Sequence, residues 1–299
     1  MVEQSLYKIV PVTSNLAAEE DEGIFDCCLC GKVEEEDLAP EGGFVTTVEV
    51  ARVFNQMKDA TTEEEMHAPL QKIYKYAASF AGTQQAQTEF LKDIAQLRGI
   101  KTILGAIKSC INDAAVVMRG TKALRELMGS HDDMLDDWEQ KRTALSEIRA
   151  TLITQFLSAN GLEITTRAFG IHAIKYDPYE EDTQLALYRT DLRFLTMQCI
   201  YITVSSASAD KAAKLVQFFS RVIPKMLPPH DTVNESVMHE AFLCILKCLE
   251  VKGVQKQLKK EDILDVVSVS VATEKVCKSQ RVAGAVRAVW SWAGAFSSI

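Results

Sequence analysis

The chain has 299 residues, 33 basic and 41 acidic, giving a net charge of −8, and 47 % of its residues are hydrophobic. That balance excludes a disordered chain and gives no support to a nucleic-acid binder, which needs clustered basic charge against phosphates. Seven prolines and fourteen glycines among many Ala, Leu, Glu, Lys and Gln residues favour helices throughout.

The charge is uneven. Residues 1–65 hold sixteen acids and four bases, a net of −12, while residues 66–299 carry +4. No apolar run reaches the roughly 18–20 residues needed to cross a bilayer, and Met1-Val2-Glu3-Gln4-Ser5 lacks a basic region followed by an apolar one. The expectation is a soluble cytoplasmic protein, with the nucleus as the other compartment, without membrane insertion. Eight cysteines, among them Cys199, Cys244 and Cys248 on apolar helix faces, read as reduced small hydrophobes. Asn234-Glu235-Ser236 matches a glycosylation sequon by chance in such a compartment.

Residues 1–45 show no sustained period and form an acidic, flexible segment, with Glu19-Glu20-Asp21-Glu22 and Glu34-Glu35-Glu36-Asp37 around a cysteine patch. From Thr46 a helical face appears in Val50, Val53, Phe54 and Met57. A second helix opens at Thr62 with Glu65 completing a capping box; its stripe is Met66, Leu70, Ile73, Tyr74 and Ala77, and Gly82 can end it. Phe90, Leu91, Ile94 and Leu97 follow, and Gly99 separates them from Ile100, Ile103, Leu104 and Ile107. Val116, Val117, Gly120, Ala123, Leu124 and Leu127 make a third helix closed by Gly129. An amphipathic stretch from Asp133 carries Leu135, Trp138, Leu145, Ile148, Leu152 and Phe156 as far as Asn160-Gly161. Further helices fit 163–175, 184–204, 210–227, 233–250, 261–272 and 280–293, separated at Asp177-Pro178, Ser205-Ser206-Ala207-Ser208 and Pro228-Pro229. The β-branched run 263–271 reads as helix because a lone strand would have no sheet to join.

A small-residue signature recurs in Gly120-Thr121-Lys122-Ala123-Leu124-Arg125-Glu126-Leu127, in Ala241-Phe242-Leu243-Cys244-Ile245-Leu246-Lys247-Cys248 and in Val282-Ala283-Gly284-Ala285-Val286-Arg287-Ala288-Val289. The copies begin 121 and then 41 residues apart, and the first gap is close to three times the second. With Leu97-Arg98-Gly99-Ile100, where a glycine precedes an apolar helix, residues 46–295 resemble the armadillo and HEAT-like repeats. Ala168-Phe169-Gly170-Ile171 and Met197-Gln198-Cys199-Ile200-Tyr201 are partial copies that leave the middle degenerate. The resemblance implies an all-α fold, a right-handed α-solenoid over 46–299, and a scaffold or adaptor that binds a partner protein on a concave groove. A peptide-clamping member presents asparagine where this chain has Glu126, Lys247 and Ala288, which speaks against importin-like capture, although Trp290 and Trp292 stand where such proteins often place tryptophan.

The partner-binding candidates are Lys122, Arg125, Lys247 and Arg287, non-core positions of the signature helices, together with Trp290. They would favour an acidic segment of a partner, or this chain's own residues 19–37. Three competing features stand beside them. Asp132, Asp133 and Asp136 have the helical spacing that holds magnesium against a prenyl diphosphate in all-α enzymes, but no second aspartate-rich run follows, and acids also favour a helix's first turn. Cys27, Cys28 and Cys30 could begin a thiolate metal site, yet His67 is the first histidine and no second cysteine pair lies near. The chain could instead be a structural subunit of a larger assembly. The expectation is a non-enzymatic protein without cofactor or metal.

Overall fold

The computed structural model describes residues 6–8, 44–78, 84–129, 144–174 and 183–296, which are helical apart from turns and one short strand pair. The chain divides into two compact units, Met1–Ile164 and Thr165–Ile299.

The first unit opens on an antiparallel pair, β1 (Leu6–Lys8) and β2 (Phe44–Thr46), with Tyr7 opposite Val45. No sequence period announced this pair. Thr46 then caps α1 (Thr47–Asp59) by accepting from the Glu49 amide at 3.2 Å, and Val50, Val53, Phe54 and Met57 are buried as their spacing predicts. α2 (Glu63–Ala78) begins with the expected capping box: Thr62 Oγ1 accepts from the Glu65 amide, and the Glu65 carboxylate accepts from the Thr61 and Thr62 amides. Its buried stripe keeps Met66, Leu70 and Ile73 of the expected five and adds Pro69 and Tyr76 in place of Tyr74 and Ala77. Tyr76 is in the core, donating its hydroxyl to Glu49 Oε1 at 2.7 Å, whereas Tyr74 and Ala77 are half-buried. Both tyrosines satisfy a helical period; α1 takes the face of Ile73 and Tyr76, which turns Tyr74 elsewhere.

α3 (Gln84–Gln96) meets α4 (Gly99–Ser109) at a two-residue corner, Leu97 and Arg98, where Arg98 adopts a left-handed conformation, φ 55°. Gly99 is required there because a Cβ would lie 2.5 Å from the Phe54 ring. α5 (Ala114–Met128) is capped by Asp113, which accepts from the Val116 amide at 2.8 Å, and stops at Gly129, φ 98°. α6 (Ala144–Ser158) buries Leu152, Ile153 and Phe156, with Leu145 and Ile148 only half-buried; Leu135 and Trp138 lie outside the described residues, as do Gly82, Asp177 and Pro178. α2 packs most extensively on α5 and α3 on α6, while α1 packs mainly on α2 and also meets α4. Each helix of the first three therefore meets the one three places later in the chain.

α7 (Gly161–His172) starts after Asn160, itself left-handed at φ 58°, and the division between the units falls within it. The second unit continues with α8 (Thr183–Val204), α9 (Ala209–Val222) and its single-turn extension Ile223–Met226, then α10 (Glu235–Leu249), α11 (Lys260–Val276) and α12 (Gln280–Phe296). Asn234 is the cap of α10, accepting from the Val237 amide. The β-branched run 263–271 is helical within α11, where the Ser270 and Thr273 hydroxyls return to carbonyls four residues back. Here helices two apart pack together, α8 on α10, α9 on α11 and α10 on α12, as do the chain neighbours α9 with α10 and α11 with α12.

Two polar devices tie this unit. Arg193 is 3 % exposed and donates to the Ala173 carbonyl at 2.7 Å and to Asp231 at 2.6 Å, fixing the end of α7 and the loop before α10 on α8. Glu235 accepts from the Lys278 and Ser279 amides at 2.7 and 3.1 Å, so the first residue of α10 holds the entry to α12. Cys199, Cys244 and Cys248 are fully buried, and burial pushes the Cys244 and Cys248 thiols well up, as expected of cysteines that act as small hydrophobes.

Candidate seam sites on the signature helices

The small residues of the signature let helices approach. In the first copy a Cβ on Gly120 would stand 2.6 Å from Ile107 Cγ1, so α4 and α5 close on a position that holds no side chain. That contact fixes the rotation of α5. Residues roughly 100–160° round the helix from Gly120, namely Ala115, Arg119, Lys122 and Glu126, form a different face. Lys122 Nζ lies 5.8 Å from the centroid of the Tyr74 ring, so this face meets α2. Arg125 and Glu126 pair with one another, both a quarter exposed, and both act on Tyr74: burial raises its hydroxyl pKa, Glu126 adds to the rise and Arg125 opposes it.

The second unit repeats the arrangement with different residues. Lys247 of α10 places Nζ 5.7 Å from the centroid of the Tyr201 ring on α8, and also reaches Glu250 at 3.3 Å. Burial raises the Tyr201 hydroxyl pKa against the opposing charge of Lys247. In both units, then, a lysine of a signature helix covers a tyrosine of the helix packed against it, a cation–π contact of about 0.5–1 kcal/mol where the lysine stays half exposed.

Of the predicted residues, Lys122 and Arg125 thus share one seam in the first unit. Lys247 lies on α10 and Arg287 and Trp290 on α12, two packed helices of the second. Arg287 is exposed, its Nε donating back to the Ala283 carbonyl at 3.1 Å. Trp290 is half-buried, and its indole Nε1 is buried without an acceptor among the described residues. The basic character expected of these positions is tempered locally by Glu126 and Glu250.

Arg119 was missed by sequence reasoning. It is 6 % exposed on the face of Lys122 and Glu126, and its Nη1 meets no hydrogen-bond acceptor among the described residues. The signal was present as the one charged residue in the stretch Ala115 to Gly120. His67 and Asp113 close the other end of the same seam at 3.1 Å.

The competing candidates, Asp132, Asp133 and Asp136 and the cysteines Cys27, Cys28 and Cys30, lie outside the described residues. Among the described residues no group of three or more His, Cys, Asp or Glu side chains is placed to hold a metal ion, and no helix is long and apolar enough to cross a membrane. Comparison of the chain with protein families, with curated proteins and with solved structures finds no match.

Proposed function

We propose that each unit is a short stack of armadillo- or HEAT-like helical repeats, part of a right-handed α-solenoid, and that the protein is a non-enzymatic scaffold or adaptor. It binds a partner protein along the seams beside its signature helices. The observation that carries this reading is the repeated placement of Lys122 over Tyr74 and Lys247 over Tyr201, on two helices chosen by sequence alone for their small-residue signature. Packing of helices three places apart in one unit and two places apart in the other, beside contacts between chain neighbours, supports it, because stacked repeats bury their cores against one another. Rigid seams lined by aromatic and cationic side chains are the kind of surface on which a few anchors dominate affinity.

The partner contributes acidic segments, matched to Lys122 and Arg125 in the first unit and to Lys247 and Arg287 in the second. Affinity capture from native extract with the wild-type chain, with Lys122→Glu/Arg125→Glu and with Lys247→Glu/Arg287→Glu tests this. The expected result is one set of co-purifying chains lost from at least one of the two variants while both melt like wild type. A partner held equally by all three chains, or magnesium-dependent binding of a prenyl diphosphate abolished by Asp132→Ala, overturns the reading.

A further inference from the structure

Arg119 carries a buried positive charge that the described residues leave unmet. It is 6 % exposed, and its Nη1 is buried with no hydrogen-bond acceptor among them. A guanidinium is all donors and does not lose its proton in a protein, so burial without an acceptor removes hydration that nothing replaces. Arg193 shows how this chain otherwise buries such a group. At 3 % exposure it is met by both the Ala173 carbonyl and the Asp231 carboxylate.

The neighbours of Arg119 deepen the deficit. From Arg119 to Glu126 the chain holds three bases and one acid, a surplus of two positive charges. That acid, Glu126, is engaged by Arg125. Lys122 stands one turn beyond Arg119 on the face that meets α2, with its Nζ 5.8 Å from the centroid of the Tyr74 ring. The Tyr74 hydroxyl is a further donor, surrounded by burial and by the charges of Glu126 and Arg125, with no hydrogen bond among the described residues. The depths are graded. The Arg125 side chain is 25 % exposed and Lys122 and Tyr74 are half-buried, so anything arriving from solvent meets them before it meets Arg119.

We infer that Arg119 anchors an oxyanion site in the seam between α2 and α5, and that the site takes one side-chain carboxylate from the acidic segment of the partner. The inference rests on the scaffold reading above and names the residue on which binding to the first unit turns. The carboxylate pairs with the planar fork of Arg119, a geometry that lysine cannot reproduce. Lys122, on its flexible four-carbon stem, swings from the Tyr74 ring to follow the entering charge, and the Tyr74 hydroxyl donates to the same carboxylate. A desolvated pair of this kind governs how long the partner stays, whereas the charges at the mouth govern how fast it arrives.

Biolayer interferometry of the full chain on an immobilised peptide of six glutamates, with a six-glutamine peptide as control, separates these roles. The wild type should bind the glutamate peptide alone. Arg119→Met should raise koff about thirtyfold or more and leave kon within about twofold, and Arg119→Lys should also release faster than wild type. Lys122→Glu/Arg125→Glu should instead lower kon and flatten its salt dependence. Thermal melts give the second readout: loss of a buried charge that has no acceptor should leave Arg119→Met at least as heat-stable as wild type. A lower melting temperature assigns the guanidinium to an acceptor within the chain, such as the acids of residues 130–143, and overturns the proposal. A wild-type koff in Arg119→Met, while Lys122→Glu/Arg125→Glu loses binding, overturns the anchor and spares the scaffold reading. A glutamate peptide ignored by the wild type, or held equally by every variant, overturns both.

Discussion

Replacing Gly120 with alanine puts the close approach of α4 and α5 to a quantitative test. The new Cβ would stand 2.6 and 2.8 Å from the Cγ1 and Cδ1 atoms of Ile107, which is fully buried and has nowhere to retreat. Overpacking of this kind costs about 1–3 kcal/mol. Alanine's better helix propensity returns about 1 kcal/mol. Gly284 in α12 supplies the control, since nothing lies within 4 Å of a Cβ added there. Gly284→Ala should gain that propensity without the clash, so the gap between the two variants isolates the packing term at about 1–3 kcal/mol. Urea unfolding of the full chain followed by circular dichroism reads the change, with amide exchange in α5 and α12 assigning it to a unit. A Gly120→Ala chain as stable as Gly284→Ala would refute the claim that this signature position is small because a neighbouring helix needs the space.

Other expectations follow from the polar devices. Asp231→Asn leaves the Arg193 guanidinium, 3 % exposed, without its carboxylate and should cost about 3–5 kcal/mol; a double-mutant cycle with Arg193→Met should show strong coupling, and additive losses would dismiss the clamp. Asp113 has a depressed pKa: burial raises it, but the Val116 amide and the hydrogen bond and charge of His67 outweigh that effect. Its folded value lies below the unfolded one of about 3.9, so its contribution is present above pH 4 and lost as pH falls through the folded value. Asp113→Asn should therefore flatten the acid limb of a stability–pH curve, and an unchanged limb would count against it. The Cys277 thiol is pushed up to about 11 by burial and then by the charge of Glu235. In Glu235→Gln the side chain can still accept from the Lys278 and Ser279 amides, so alkylation of Cys277 at pH 9 should quicken with little loss of stability; an unaltered rate would remove Glu235 from the account.

The helices were legible where local chemistry decides: Thr62 with Glu65, Asn160 before Gly161, and the apolar spacing of α1 each carry their own signal. The 263–271 run was legible only by elimination, since its β-branched residues favour strands and the back-bonds of Ser270 and Thr273 depend on the helix already being formed. The exchange of Tyr74 for Tyr76 in the core could not be read, because both fit a helical period and only the placement of α1 and α5 separates them. The sites divide in the same way. Polar positions on the signature helices mark Lys122 and Lys247 as outside the core, but the tyrosines beneath them are 48 and 46 residues distant along the chain. Arg119 was hidden by its own neighbours, a charge in an apolar run being easier to discount than to interpret. The change from a three-helix to a two-helix offset left no trace in the spacing of the copies.

The corner at Arg98 also bears on how the first unit could be built from pieces. The packing of α1 on α4, of α2 on α5 and of α3 on α6 all crosses that one residue, while α1 and α2 lie wholly before it and α4 and α5 wholly after. A chain opened there would yield two fragments, one holding α1 packed on α2 and the other α4 packed on α5, joined across the α2–α5 and α3–α6 interfaces. Fragment complementation at 97–98 is thus built into the connectivity, and co-expressed halves would reassemble the seam between Tyr74 and Lys122 without a covalent link.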